Sequence, residues 1–370
     1  MLFHLFNLLH ASLSDTFSFL RLADYLTIRA IAAAITAFLL TLFLGRRILE
    51  FLYRSGMRDV IRNYGELSNE GKSGTPTMGG VIIILSIVSG VLLWCDLTNP
   101  FIPVLMCALI WFGGIGALDD YLKCRREHSD QGLSQRTKMT AQAGFGLALG
   151  CICLYAPFSP IPEALATKLY LPTYKLPVAD LSWAYLPFIV LTIVAIANSV
   201  NFADGLDGLA IVPVSFVAVV YGVFAYVIGN TRYSSYLQFF YLHGSGEVAI
   251  VCAAMLGAGV GFLWYNAYPA EIIMGDTGSQ ALGGTLGTLA VLLKSEVLFL
   301  IIGGVFVLQA FSVLIQEKLG ISWIGRRIFY RAPIHYTFLH RGIGETKMVI
   351  RFWIISGLLA LIGLATLKVR

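Results

Sequence analysis

Long apolar runs recur along the whole of this 370-residue chain, and they limit most strongly how it can fold. A helix needs about 20 apolar residues to cross the hydrocarbon core of a bilayer. Apolar residues make up 57% of the sequence and charged residues 13%, against roughly 45–50% and about 25% in soluble domains. We therefore predict an all-α, polytopic integral membrane protein and exclude a water-soluble enzyme. About ten transmembrane helices are expected, near residues 22–44, 78–95, 101–118, 139–156, 185–200, 208–228, 246–263, 280–293, 297–317 and 348–367.

The distribution of Lys and Arg predicts the orientation, because loops that stay in the cytoplasm retain these residues. Seventeen of the 26 lie in one alternating set of loops. We expect that set in the cytoplasm and both termini on the other side, which is periplasmic in a bacterium. Topology thus explains most of the net charge of +5, and nucleic acid is not a predicted partner. The loops of this set are 45–77, 119–138, 201–207, 264–279 and 318–347.

Two further features near span ends have simple interpretations. Residues 1–21 are apolar only in patches and lack a basic start, which predicts an interfacial periplasmic helix rather than a cleaved signal peptide. Arg29 and Arg351 also lie near span ends, where long side chains reach out to the headgroups. We expect both guanidinium groups to do so.

Acidic residues at the cytoplasmic ends of spans indicate a site, because carboxylates near a membrane core are costly and seldom kept without a function. Asp119 and Asp120 follow an apolar span directly; a pair like this also occurs at solvated helix ends. Two more short loops add carboxylates and amides among glycines, and three such loops at one membrane face indicate a divalent cation and phosphate groups. The polar residues of these two loops are Asn198, Asn201, Asp204 and Asp207 in 198–208, and Asn266 and Asp276 in 264–279.

Two basic loops complete the predicted site. Residues 72–80 supply Lys72, Thr77 and backbone N–H groups for an anion. Gly71-Lys72-Ser73 is not a phosphate-binding P-loop, because position 66 is Glu66 instead of the required glycine. The loop 318–347 holds Arg, Lys and His residues that anchor the topology and also suit phosphate binding.

Taken in order along the chain, these motifs resemble those of the phospho-N-acetylmuramoyl-pentapeptide transferase (MraY) family. The resemblance covers residues from about 45 to 355. It rests on Gly-Thr-Pro-Thr-Met-Gly-Gly at 74–80, Leu-Asp-Asp-Tyr-Leu-Lys at 118–123, the run 201–209, Phe-Leu-Trp-Tyr-Asn-Ala-Tyr-Pro-Ala at 262–270, Met-Gly-Asp-Thr-Gly-Ser at 274–279, Ala-Pro-Ile-His at 332–335, Glu-Thr-Lys at 345–347 and Arg-Phe-Trp at 351–353.

The resemblance implies a ten-helix enzyme of the bacterial inner membrane, usually a homodimer, with a single transmembrane catalytic domain over 1–370. Its catalytic loops would be 45–77, 119–138, 198–208, 264–279 and 318–347, on the cytoplasmic face. It also implies the reaction: with Mg²⁺, UDP-MurNAc-pentapeptide and undecaprenyl phosphate give lipid I and UMP, in the first membrane step of peptidoglycan synthesis.

Residue roles carry over position by position. Asp276 resembles the family's metal ligand, and Asp119 resembles the carboxylate proposed to deprotonate the lipid phosphate, supported by Asp120. Asp119 and Asp120 are also candidate metal ligands. His335 matches the first of the family's histidines and is a candidate catalytic residue. The implied substrate-binding residues are Asn198, Asn201, Asp204 and Asp207 on the nucleotide side, Asn266 near the uridine, and Lys72, Thr77, Lys138 and Gln316 along the cleft.

The sequence also departs from the family pattern. Three consecutive histidines are usual, whereas Tyr336 and Thr337 follow His335 here, so only one histidine is available. Ala203 stands where a hydroxyl residue is usual, and Ile273 where an aromatic residue often stacks on uracil. We expect these changes to affect the substrate's pose more than the reaction.

Two alternatives remain from the sequence. A sister enzyme that transfers GlcNAc-1-phosphate to a polyprenyl phosphate would share the acidic loops, and the last cytoplasmic loop favours the MraY form. A secondary transporter would place ionisable residues near the middle of the bilayer, whereas here they lie at span ends. The span 297–317, with Gln309 and Gln316 inside it, is predicted to be a bent helix beside a lipid groove.

Overall fold

A computed structural model describes residues 1, 3, 24–58, 74–126, 132–155, 157 and 159–369. Within them the chain is helical, with one two-stranded antiparallel sheet. The helices are α1 (Leu26–Arg54), α2 (Gly80–Trp94), α3 (Phe101–Arg126), α4 (Gln135–Tyr155), α5 (Glu163–Ala166), α6 (Tyr185–Ala203), α7 (Ile211–Ile228), α8 (Thr231–Leu237), α9 (Val248–Asn266), α10 (Gly275–Leu292), α11 (Leu298–Ile302), α12 (Gly304–Leu314), α13 (Ile334–His340) and α14 (Glu345–Ala365), and the strands are β1 (Lys168–Leu169) and β2 (Ala179–Asp180).

The all-α membrane architecture is confirmed. Seven helical segments are long and apolar enough to cross a membrane: Leu26–Arg54, Phe101–Arg126, Ser182–Ala203, Ile211–Ile228, Ser245–Asn266, Gly304–Ile324 and Glu345–Ala365. The other predicted runs are also helical, in α2, α4 and α10. Of these, α2 is apolar but has only 15 residues. Ten crossings and the side of each terminus stay predictions, and the helix predicted for 1–21 lies almost entirely outside the described residues.

Helix α10 is the centre of the bundle, and every residue from 277 to 292 is buried. It packs against α3 and α6. Small residues allow this approach: a Cβ on Gly283 would lie 2.9 Å from the carbonyl oxygen of Ala197 in α6, and one on Gly284 would lie 2.1 Å from the Phe112 ring in α3. Glycine faces of this kind let membrane helices pack closely.

The described contacts define two ends of the bundle. The site end holds the carboxyl end of α3 and the amino end of α10, and the opposite end holds the start of α1 and the start of α9. At the opposite end, Arg29 is 5% exposed and its Nη2 lies 2.5 Å from Oε1 of Glu247. The prediction that Arg29 reaches the headgroups was therefore wrong, because a buried partner from a distant helix binds it. Arg351 is exposed, as expected.

Candidate active site

Three aspartates meet at the site end. Asp119 and Asp120 lie in the last turns of α3, and Asp276 lies in the first turn of α10. Each offers a carboxylate oxygen, and these oxygens all lie within 4.8 Å of one another. Asp119 is fully buried and Asp120 is 4% exposed. Burial of three neighbouring acids requires compensating positive charge or hydrogen bonds, because unpaired charges in a low-dielectric site are strongly destabilised.

Asp120 meets this need by capping α10 from a different helix. Its Oδ1 accepts a hydrogen bond from the backbone N–H of Asp276 at 3.1 Å. Its Oδ2 accepts from the backbone N–H and the hydroxyl of Thr277, at 2.8 and 2.7 Å. The first N–H groups of a helix lack partners within the helix, and a carboxylate there also interacts favourably with the helix dipole. Asp120 thus fixes the position of Asp276.

Glycine is required where these two helices meet. Gly275 has a φ of +71°, and a Cβ there would lie 2.5 Å from Oδ2 of Asp120. A Cβ on Gly116 would lie 2.1 Å from the carbonyl oxygen of Asp276. Both contacts are closer than real side chains tolerate, so the glycines before Asp119 and Asp276 allow the carboxylates to converge.

Two lysine ammonium groups lie between Asp119 and Asp276. Nζ of Lys138, from α4, is 2.7 Å from Oδ2 of each aspartate. Nζ of Lys123, from α3, is 2.6 Å from Oδ2 of Asp119 and 3.1 Å from Oδ2 of Asp276. Lys138 was among the predicted site residues and Lys123 was not. The signal for Lys123 was its position four residues after Asp119, which places the two side chains on one helix face.

Amide side chains surround the other face of Asp276. Asn201 Nδ2 donates to Oδ1 of Asp276 at 3.0 Å and to the hydroxyl of Ser279 at 2.8 Å. One layer further in, Asn198 donates to Gln142 at 2.7 Å, and Gln142 donates to Gln280 at 2.8 Å. The sequence did not predict Ser279, Gln142 or Gln280 as part of the site, because a polar residue inside an apolar helix gives no indication of which residues it contacts.

The loop 198–208, predicted to lie on the nucleotide side, is held by hydrogen bonds between side chains and backbone. Oδ2 of Asp207 accepts from the backbone N–H of Ala270 at 3.1 Å. Asn266 is 4% exposed; it accepts from the N–H of Gly208 at 3.0 Å and donates to the carbonyl of Ile272 at 2.9 Å. The side chain of Asn266 therefore joins two loops. Asp204, at the carboxyl end of α6, is half-buried.

The remaining predicted residues differ in their surroundings. Thr77 is 6% exposed and lies beside Gly275. Gln316 is buried and accepts from the N–H groups of Ile328 and Phe329, at 3.1 and 2.9 Å, so it holds the loop after α12. Lys72 lies outside the described residues.

His335 is fully buried in α13. Its Nδ1 lies 3.1 Å from Oε1 of Gln309, and its Nε2 has no hydrogen-bond partner among the described residues. A Cβ on Gly205 would lie 2.5 Å from that Nε2. Burial lowers the pKa of His335 to about 3, so its imidazole is neutral at physiological pH.

An apolar groove of about 520 Å³ extends from the site end along the bundle. The chain beside it is broken, as predicted for 297–317: α11 ends at Ile302, α12 begins at Gly304, and Ile315–Ile324 continues α12 as a π-helix. Asn198 and Ser199 line the groove, and Asn198 lies one helical turn before Asn201, which contacts Asp276. The groove's apolar walls include Phe188, Leu191, Phe299, Leu300, Phe311 and Leu314.

Comparison with known proteins decides the family. The sequence model described as Glycosyl transferase family 4 matches residues 102–294, and the one described as Phospho-N-acetylmuramoyl-pentapeptide-transferase signature 1 matches residues 72–84. A relative named phospho-N-acetylmuramoyl-pentapeptide-transferase, from Citrifermentans bemidjiense, is 46% identical over 366 residues, which cover 99% of this chain and all of the relative. This chain belongs to the phospho-N-acetylmuramoyl-pentapeptide-transferase family.

Further relatives of the same name have the same extent. Those from Geobacter sp. strain M21 and Nitratidesulfovibrio vulgaris strain DP4 are 46% and 44% identical, each over 99% of this chain and all of the relative. The carboxylate site, the groove and the polar loops therefore lie in a chain that aligns with phospho-N-acetylmuramoyl-pentapeptide-transferases over nearly its whole length.

In this family member, the donor set of the three aspartates fits a hard divalent cation. Such ions bind carboxylate oxygens in preference to nitrogen or sulfur. Oδ2 of Asp119 is buried, and both ammonium groups contact it, at 2.6 and 2.7 Å. Oδ2 of Asp276 faces the same point. These two oxygens are therefore the best-placed ligands, while Asp120 is largely engaged by the start of α10.

Proposed function

We propose that this protein transfers phospho-MurNAc-pentapeptide from UDP-MurNAc-pentapeptide to undecaprenyl phosphate, giving lipid I and UMP. One observation carries the proposal most directly. Three carboxylates and two ammonium groups meet at the site end, and an apolar groove reaches Asn198, one helical turn from the Asn201 that contacts Asp276. The chain is 46% identical to a phospho-N-acetylmuramoyl-pentapeptide-transferase. A reaction between a charged nucleotide and a lipid phosphate needs both environments side by side.

In our proposal, the residues of the site divide between metal, acceptor and nucleotide. Asp276 and Asp119 hold Mg²⁺, which when bound neutralises the pyrophosphate charge. Asp119 also orients the lipid phosphate and takes its remaining proton. That phosphate is largely ionised at neutral pH because its second pKa is near 6, so the contribution of Asp119 as a base is small.

The transfer itself exchanges one phosphorus–oxygen bond for another. An oxygen of the lipid phosphate attacks the phosphorus next to the sugar, and the bond from that phosphorus to UMP breaks. The charge on the leaving phosphate is stabilised by nearby cationic groups that are already in position, as in other phosphoryl transfers.

The polar loops are assigned to the nucleotide and sugar. We propose that Asn198, Asn201, Asp204 and Asp207 shape the nucleotide side, and that Thr77, His335 and Lys72 line the approach. Gln316 acts on the approach through the loop that it holds. Asn266 acts toward the uridine through the loops that it joins. Tyr336, whose hydroxyl donates to the carbonyl of Gly205 at 3.3 Å, reinforces this loop where the family usually has a second histidine.

The groove is assigned to the tail of the acceptor lipid. Its wall is almost wholly apolar, and Asn198 on that wall lies one helical turn from Asn201, which contacts Asp276. A phosphate at the site end and a polyprenyl chain along the groove suit the two surfaces. We further propose that residues 1–370 form one catalytic domain, and that the protein is a homodimer in the bacterial inner membrane with its site on the cytoplasmic face, where the basic loops of the sequence are expected.

A transfer assay separates this function from its nearest alternative. Detergent-solubilised protein, Mg²⁺ and undecaprenyl phosphate are supplied with UDP-MurNAc-pentapeptide or with UDP-GlcNAc, and lipid products are separated by chromatography. We expect product from UDP-MurNAc-pentapeptide and release of UMP. Product from UDP-GlcNAc alone would assign the chain to the sister reaction, and no product from either sugar with a folded protein would contradict transfer altogether.

A further inference from the structure

The two lysines occupy the place that a metal ion would take between Asp119 and Asp276. Oδ2 of Asp119 and Oδ2 of Asp276 are the oxygens best placed for a cation, and both ammonium nitrogens lie 2.6–3.1 Å from these same two atoms. A magnesium–oxygen bond is about 2.0–2.1 Å long. An ion bonded to both oxygens would therefore share one small space with two ammonium groups.

Charge makes that sharing unfavourable. Counted in their ordinary ionised forms, three carboxylates and two ammonium groups leave a formal charge of −1 in the cluster. A divalent ion added to the unchanged cluster would bring four positive charges to two oxygen atoms. Repulsion between like charges a few ångströms apart costs several kcal/mol at the effective dielectric of a partly buried site. At least one ammonium group has to move away when the ion binds.

The structure distinguishes the two lysines. Lys123 follows Asp119 by one helical turn and lies closer to it, at 2.6 Å, than to Asp276, at 3.1 Å. Lys138 comes from the start of α4, reaches both carboxylates from a separate helix and donates to Oδ2 of Asp276 at 2.7 Å. Both lysine side chains are 18% exposed and border solvent, so what sets Lys138 apart is that it comes from a separate helix. A lysine stem is flexible and its ammonium group is a compact point charge that readily changes partners.

We infer that Lys138 is an exchangeable counterion: it holds the carboxylates together before the metal binds, leaves when the ion arrives and then binds a phosphate oxygen of the substrate. This inference rests on the proposed function for its last step only. The exchange of ammonium for metal needs no substrate. The exchange keeps the negative charge of the carboxylates neutralised with and without the metal ion. It also moves a positive charge toward the phosphates after the ion has bound.

The first test measures metal binding without substrate. Mn²⁺ binding to the full-length protein in detergent is followed by electron paramagnetic resonance for the wild type, Lys138→Met and the control Lys175→Met, an exposed lysine at the opposite end. Loss of a competing ammonium group should tighten Mn²⁺ binding about tenfold or more in Lys138→Met. Lys175→Met should bind like the wild type. Equal or weaker binding by Lys138→Met would overturn the inference.

The second test asks whether Lys138 moves when the ion binds or stays in place and only repels the ion. An amine-reactive reagent is applied briefly with and without Mg²⁺, and labelling of Lys138 is read by mass spectrometry. We expect Mg²⁺ to raise labelling of Lys138 several-fold in the wild type, with no change at Lys175 and none at Lys138 in Asp276→Asn. Unchanged labelling of Lys138 in the wild type would overturn the exchange, even if the transfer reaction is active.

Labelling with both metal and nucleotide present tests the last step alone. UDP-MurNAc-pentapeptide added after Mg²⁺ should lower labelling of Lys138 again, because the ammonium group then contacts phosphate. Labelling that stays high would contradict the phosphate contact but leave the exchange standing. Failure of the transfer assay would affect only this step, so the two proposals fail separately.

Discussion

The two ends of the bundle both bury charge, and they do so in different ways. At the opposite end, Arg29 and Glu247 form a matched pair joined by two hydrogen bonds, at 2.9 and 2.5 Å. Backbone groups add to the pair: Glu247 accepts from the N–H of Asp96, and Arg29 donates to the carbonyl of Trp94. At the site end, three carboxylates face two ammonium groups. One end is balanced, whereas the other keeps one negative charge in excess.

The difference indicates what each set of charges is for. A balanced buried pair carries no net charge for a ligand to neutralise, and it links α1 and α2 to the turn before α9. An unbalanced cluster, with three carboxylates to two ammonium groups, favours an added cation. Buried charge is weak evidence for a site on its own; an excess of one sign is the informative property.

The largest effect is expected from removing a carboxylate of the unbalanced cluster. Asp276→Asn or Asp119→Asn should lower turnover at least about a thousandfold, because loss of a group that fixes a catalytic metal removes about 4 kcal/mol or more of transition-state stabilisation. The variants should still fold and stay in the membrane. Initial transfer rates and thermal unfolding in detergent check both parts, and near-normal turnover in either variant would contradict the metal site.

At the balanced end, the expected effect is on stability. Arg29→Met alone should lower the free energy of unfolding by about 3–5 kcal/mol, because it leaves Glu247 buried without a partner. The double variant Arg29→Met with Glu247→Met should recover much of that loss, since it removes both charges. Unfolding midpoints measure the difference. If the double variant lost as much unfolding free energy as the two single variants together, the two charges would not stabilise the fold as a pair.

An intermediate effect is expected at Asp120, which lies in the cluster but contacts mostly backbone. Asp120→Asn should lose the charge that caps α10 and weaken the fold by about 1–3 kcal/mol. Because Asp276 then shifts, turnover should also fall by roughly one to two orders of magnitude, with a larger change in kcat than in KM. Thr277→Ser is the matched control: it keeps the hydroxyl that donates to Asp120 and should change stability by less than about 1 kcal/mol.

The smallest effect concerns His335, whose burial lowers its pKa to about 3. In the unfolded chain its pKa is near 6.5. Between these values the unfolded state binds a proton that the folded state excludes, so this contribution to stability is present above pH 6.5 and lost as the pH falls toward 3. Wild type should lose about 1 kcal/mol more than His335→Gln between pH 6.5 and 5.5. Equal pH dependence in the two proteins would mean that His335 takes up a proton while folded.

The sequence predicted the helical membrane fold and the meeting of Asp119, Asp120 and Asp276, because apolar length and isolated acids at span ends are local signals. It did not predict the contacts of Arg29, whose partner Glu247 is 218 residues away. Nor did it separate Asn266 and Gln316, which bind backbone, from amides that face a ligand. The same kinds of side chain can bind backbone or face a ligand, and only the packing of distant segments determines which role each one has.

Thermal unfolding with added Mg²⁺ tests most directly the claim that the unbalanced end is a metal site. A ligand that binds only the folded state stabilises it by RT ln(1 + [L]/Kd), about 2.7 kcal/mol at one hundred times Kd. Mg²⁺ should therefore raise the midpoint of the wild type and, by a similar amount, of the Arg29 and Glu247 double variant, but not of Asp276→Asn. An equal rise in Asp276→Asn, or no rise in the wild type at saturating Mg²⁺, would contradict the claim.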